Sequence, residues 1–222
     1  MSFENKTAVI IGGANELGKR IIELLAENGA NIVIADADET RAESLASSIG
    51  RNALSVPCDV SLQYEVDRVF LEAVRAFSKV DILINNAGVL DKRQSAETVV
   101  DDEFETVMAI NAHGPLRTIR KALPIFFEHG GGAIVNVSSP AGERGDTGGI
   151  AYTASKHALN GITRHVAHQY QAHGIRCNAV APGAYTTTDK DGKPRVDFDA
   201  AARLIVYLAS EEAHMLNGVI MS

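Results

Sequence analysis

Thr7-Ala8-Val9-Ile10-Ile11-Gly12-Gly13-Ala14-Asn15-Glu16-Leu17-Gly18 is an apolar run that stops on two glycines; past Gly18, apolar residues return at 21, 22, 24 and 25. The first part reads as a buried strand and the last has the period of a helix, so the stretch predicts strand, glycine loop, helix. In that unit the free backbone N–H groups and the helix dipole favour a pyrophosphate. Gly12, Asn15, Glu16, Leu17 and Gly18 are therefore candidate cofactor contacts. A glycine turn alone is weak ground, because any tight strand-to-helix turn needs residues that tolerate positive φ. The rest of the chain has to supply the context.

Outward from this unit the alternation repeats. An apolar run over 31–35 stops at Asp36, and Asp38 is placed to cap a helix reaching about Ile49. A strand near 53–56, a helix near 62–77 and a strand at 82–85 follow. A long helical stretch from about 102 to 127 precedes the run 133–137, and a helix over 152–171 leads into 175–181. The tail adds a helix near 200–209 and a short apolar run at 219–221. Strands apolar on both faces, separated by amphipathic helices, predict a single-domain α/β fold over 1–222. This is a Rossmann-type doubly wound parallel sheet of about seven strands with helices on both faces. Ligands then belong at the carboxyl ends of the strands.

Composition narrows the function. The 222 residues are 45% hydrophobic, enough for one sizeable core and short for two domains. A net charge of −7 with scattered basic residues offers no footprint for nucleic acid or an anionic membrane, so a small-molecule substrate is expected. The N-terminus runs straight into a strand with no apolar leader or spanning run, which gives an expectation of a cytoplasmic protein. Cys58 and Cys177 lie in apolar stretches and read as buried thiols. His165 and His168 share a helical face, but no Cys or carboxylate completes a set, so no metal site is expected.

Asp36 ends the second strand, where a carboxylate accepts hydrogen bonds from both ribose hydroxyls and repels a 2′-phosphate. That favours NAD over NADP, with Arg41 near enough to keep NADP in view. Tyr152 and Lys156 are i and i+4 on a helix and share a face. An ammonium there is expected to lower a phenol pKa that starts near 10, making Tyr152 a general acid or base nearer neutral pH. Ser138 and Ser139 follow the fifth strand, where one hydroxyl can reach a substrate oxygen.

With these features in order, the chain resembles the short-chain dehydrogenase/reductase family over nearly its whole length. The resemblance carries the family's cofactor loop onto Gly12–Gly18 and its adenine-contacting acid onto Asp59 beside Val60. Its central-strand motif falls on Asn85-Asn86-Ala87-Gly88, from which Asn85, Ala87 and Gly88 are taken as cofactor contacts. It implies catalytic roles for Asn111, Ser139, Tyr152 and Lys156. Ser139 steadies the developing charge on oxygen, Asn111 holds a water that lets the proton leave through Lys156, and Lys156 holds the nicotinamide ribose; Ser138 reads as structural. Pro182, Gly183 and Thr187 match the nicotinamide-binding segment, with Thr186 and Thr188 as neighbouring candidates. The resemblance also implies a homo-oligomer, a tetramer or dimer, pairing the helices near 102–127 and 152–171.

Two departures qualify it. Ile11 replaces the usual threonine and Glu16 the middle glycine, and a carboxylate beside a pyrophosphate is repulsive unless it points into solvent. The substrate loop, about 184–198, is short. The leading expectation is an NAD-dependent oxidoreductase that interconverts a secondary alcohol and a ketone. Its rival is a non-catalytic NAD-responsive or interaction protein on the same fold. A methyltransferase on a related sheet gives no reason for Ser139, Tyr152 and Lys156 to occur together.

Overall fold

The computed structural model describes the backbone of residues 1–184, 186–188 and 194–222, and the side chains of 1–183 and 196–222. Strand β1 (Thr7–Ile11) is followed by helix α1 (Glu16–Glu27), β2 (Asn31–Asp36), α2 (Glu39–Ile49), β3 (Ala53–Pro57), α3 (Gln63–Phe77) and β4 (Ile82–Asn85). Then come α4 (Asp101–Met108), a π-helical segment (Ala109–His113), α5 (Gly114–Glu128), β5 (Gly132–Val137), α6 (Ile150–Tyr170) and β6 (Ile175–Val180). Two short strands, β7 (Thr186–Thr188) and β8 (Pro194–Val196), precede α7 (Phe198–Ala209) and β9 (Ile220–Met221).

Seven strands form one parallel sheet in the order β3-β2-β1-β4-β5-β6-β9. Alternate residues of each strand serve opposite faces, because successive side chains point to opposite sides of the pleat. Ile10, Ile32, Ile34 and Ile84 pack with Ile21, Leu25 and Ile205 of α1 and α7. Val9, Val33, Leu83 and Ile134 pack with Val66, Phe70, Ile119 and Val166 of α3, α5 and α6. The predicted doubly wound sheet is therefore the one observed.

The sheet order reverses between β1 and β4. At such a switch point the connections on either side leave in opposite directions and open a crevice at the carboxyl ends. Here Asn86 N and Ala87 N both donate to Ile11 O at 2.8 Å, which draws the end of β4 against the glycine loop. The expected helix near 102–127 is one helix from 101 to 128 with a π segment inside it. Gly114 N bonds back to Ala109 O, five residues away, and Pro115 has no N–H to offer the Asn111 carbonyl. The short substrate loop of about 184–198 contains the antiparallel pair β7–β8.

Candidate active site

The glycine loop is shaped by close approach. Gly12 has φ +78°, and a Cβ there would stand 2.5 Å from Ala87 Cα, so a side chain would push β1 and β4 apart. A Cβ on Gly18 would stand 2.6 Å from Gly12 O, which brings α1 tight against the loop. Asn15 caps α1 by accepting from Gly18 N at 2.8 Å and donates to Gly12 O at 3.1 Å. Asn86 donates to the same carbonyl and to Asn15 Oδ1, tying the end of β4 to the loop.

Asp36 stands at the rim of this loop. Its Oδ2 accepts from Ala14 N and its Oδ1 from Asp38 N, at 2.8 and 2.9 Å. Beside it opens a cavity of ≈ 350 Å³ lined by Gly12, Asp36, Asp59, Val60, Ala87 and Gly88 among others. Asp59 is turned to the rim by accepting from Ser61 N at 2.8 Å, and Val60 packs on Gly114, where a Cβ would overlap its methyl groups. The Cys58 thiol on the cavity wall is pushed up to about 12 by burial and by the negative charge of Glu65, so it stays neutral. A glycine turn at a helix N-terminus, with a carboxylate at the end of the second strand, fits a dinucleotide.

Across Gly88 lies the second half of the site. A Cβ on Gly88 would lie 3.4 Å from Asn111 Oδ1 and 3.6 Å from Lys156 Nζ, so both side chains converge on the cavity wall. Lys156 is buried, and its Nζ donates to Val137 O at 2.9 Å and lies 5.6 Å from the centre of the Tyr152 ring. Burial lowers its pKa to about 8. For Tyr152, burial raises the pKa, hydrogen bonding with the Ser139 hydroxyl opposes that, and the Asp91 charge adds to the rise.

The net shift at Tyr152 is upward, opposite to the lowering expected from the Lys156 spacing. The physical reason is that the ammonium sits over the ring and is turned toward Val137 O, while the phenol is desolvated. Ser139, partly exposed at the end of β5, also accepts from Ala141 N at 3.2 Å, which fixes the turn that carries it. Ser138 is buried and donates to Asn160 Oδ1 at 2.6 Å, while Asn160 Nδ2 donates to Gly142 O at 3.0 Å.

Asn111 is pinned. Its Oδ1 accepts from Val89 N at 2.9 Å, and its Nδ2 donates to Val89 O at 2.9 Å and to Ser155 Oγ at 3.1 Å. Both amide protons are used, so any further hydrogen bond to this side chain must be accepted by Oδ1.

The remaining sequence-predicted residues divide. Ala87 and Gly88 line the cavity, but Asn85 is a buried core residue. It accepts from Thr118 Oγ1 at 2.7 Å and donates to Asn136 Oδ1 at 2.9 Å, because β4 still alternates at that position. Leu17 is buried in the core, leaving only its backbone to face a ligand. Glu16 is exposed and lines a neighbouring groove with Lys19, Arg20 and Phe198. Its carboxylate therefore points into solvent and complements the α1 dipole.

Arg41 lies on the cavity wall and pairs with Asp38 at 3.2 Å. Pro182 is buried and Gly183 exposed, with Pro140 packed near the latter. The side chain of Thr187 lies outside the described residues. Among the described residues no group of His, Cys, Asp and Glu is arranged to hold a metal ion. Sequence reasoning passed over Asn86, Asn160, Ser155 and Asp91, whose contacts with Gly12, Ser138, Asn111 and Tyr152 join positions too far apart in sequence for any local pattern to show.

Comparison with known proteins gives the family and the fold. The family described as short chain dehydrogenase matches residues 6–195. Over 96% of the chain and 91% of the relative, it is 35% identical to 3beta-hydroxysteroid dehydrogenase 2 of Eggerthella lenta. That alignment spans 240 positions, so the relative carries residues for which this chain has no counterpart. Short-chain dehydrogenase reductase 3a of Arabidopsis thaliana is 36% identical over 84% of the chain and 74% of the relative. The crystal structure of 3-ketoacyl-(acyl-carrier-protein) reductase from Brucella melitensis, complexed with NADH, is similar with a TM-score of 0.91 at 32% identity. It covers 99% of this chain and 97% of that one.

Proposed function

The chain belongs to the short-chain dehydrogenase family of oxidoreductases, and from that premise we propose that it interconverts a secondary alcohol and a ketone, with NAD as cofactor and Tyr152 as the general acid or base. The observation that carries this is the Lys156 ammonium, beside Gly88 and over the Tyr152 ring, with the Ser139 hydroxyl acting on the Tyr152 phenol. Bound NAD would supply the hydride chemistry. Asp36 would accept from its adenine ribose, the loop Gly12–Gly18 would face its pyrophosphate, and Lys156, Pro182, Gly183 and Thr187 would hold its nicotinamide end.

The chain's own residues do the rest. In oxidation the Tyr152 phenolate takes the proton of the substrate hydroxyl; in reduction the phenol returns it to the carbonyl oxygen. Ser139 donates to that oxygen as charge builds on it. Lys156, held by Val137 O, keeps a cation beside the phenol, and the proton leaves by way of a water held at Asn111. The upward shift of Tyr152 makes the resting group a phenol, ready as an acid. NAD is preferred to NADP because a carboxylate at Asp36 repels a 2′-phosphate and Arg41 is drawn to Asp38. A homo-oligomer is proposed through the α4–α5 and α6 surfaces, where Phe127, 44% exposed, packs with Tyr170 and His173.

The test is Tyr152→Phe, assayed with a panel of secondary alcohols and ketones alongside NADH-binding fluorescence. Turnover is expected to fall by at least about 10³-fold with cofactor affinity kept within about threefold. A Phe variant that turns over at the wild-type rate would remove Tyr152 from the chemistry.

A further inference from the structure

Helix α6 begins two residues before Tyr152, and its first N–H groups need acceptors from outside the helix. The N-cap is Gly149, which has no side chain to serve them. The acceptors come from the segment that follows β4. Asp91 Oδ1 accepts from Gly149 N at 3.0 Å and Asp91 Oδ2 from Tyr152 N at 2.9 Å. The Gln94 carbonyl accepts from Ile150 N at 3.0 Å, and the amide of Ala151 also acts on the Asp91 carboxylate. The opening turn of the helix that carries Tyr152 is thus capped entirely by a segment some 60 residues away in sequence.

We infer that Asp91 is a positioning residue, a cap in trans that fixes the first turn of α6 and so holds the Tyr152 phenol against Ser139. This rests on the reading of Tyr152 as the acid/base group. Gly149 supports it independently: a Cβ there would overlap the Asp91 carboxylate and stand 2.7 Å from Arg93 Cα, so the glycine makes room for the cap. Burial pushes the Asp91 carboxyl up, but the N–H groups of Tyr152, Arg93, Gly149 and Ala151 outweigh it and hold it below the usual range. A carboxylate charged at neutral pH also complements the positive end of the α6 dipole.

The same charge acts on the phenol. Around Tyr152 stand Asp91 from the segment after β4, Ser139 from the end of β5 and Lys156 on its own helix. Helix α4, which packs on α6, contributes Glu103, paired with Lys92 at 3.3 Å. Of the charged groups among the described residues, Asp91 is the one that raises the Tyr152 pKa. A residue that only stabilised the fold would not move that value.

The experiment uses the full chain with Asp91→Ala and Asp91→Asn, the second being isosteric and keeping one acceptor. Hydrogen exchange of the amides of Gly149, Ala151 and Tyr152 is expected to quicken roughly 5- to 30-fold in the Ala variant, with partial recovery in Asn. The Tyr152 phenol, titrated by ¹³C NMR of its Cζ, is expected to shift to a lower pKa in Asp91→Asn. Both readouts are independent of turnover, so they stand even if Tyr152→Phe remains active and the acid/base reading fails. Wild-type exchange rates at these amides, or an unmoved Tyr152 titration in Asp91→Asn, overturns the inference.

Discussion

Lys156 is a buried cation with one backbone partner, Val137 O at 2.9 Å, and burial brings its pKa from 10.5 to about 8. At 1.36 kcal/mol per unit, holding it protonated in the cofactor-free fold costs on the order of 3 kcal/mol. Below pH 8 both states carry the proton and the cost is fully present. Between about 8 and 10.5 the unfolded chain still binds the proton and the folded one does not, so stability rises with pH. Lys156→Met removes this cost but leaves Val137 O without its donor, a loss of about 1–3 kcal/mol. The variant is therefore expected to be as stable as wild type or slightly more so at pH 7, and about 1–3 kcal/mol less stable near pH 10.5. Urea unfolding of both proteins at several pH values gives the difference curve. The Cys58 and Cys177 thiols, both shifted upward and away from Lys156, lower the stability of both proteins as pH rises and cancel in it. A difference that stays flat from pH 7 to 10.5 would refute the buried cation as a stored electrostatic cost.

Asp36→Asn keeps the size of the side chain and removes its charge; NADH affinity is expected to fall roughly 10- to 100-fold while NADPH affinity changes less, so an unaltered ratio in fluorescence titrations would count against Asp36 as the selector. The two neighbouring serines should separate cleanly. Ser138→Ala strands Asn160 Oδ1 in the core and is expected to cost about 1–3 kcal/mol in urea unfolding with kcat little changed. Ser139→Ala should lose about 10²-fold in kcat with less than about 1 kcal/mol of stability, and the reverse pattern would exchange their roles.

Much of this protein was legible in order along the chain. Apolar runs and helical periods located the strands and helices because the face a residue serves is set by spacing alone, and Asp38 capped its helix as its position predicted. The pairing of Tyr152 with Lys156 and the place of Asp36 at a strand end are likewise local facts. What the tertiary structure decided lay between distant elements. Asn85 belongs to a motif by position, yet the pleat turns its side chain to Thr118 and Asn136. Asp91 looks like a surface acid until α6 is brought against it, and the shift at Tyr152 follows from desolvation that no spacing records. Periodicity fixes which way each side chain faces along its own element; only the packed fold fixes what it meets there and how much water is left around it.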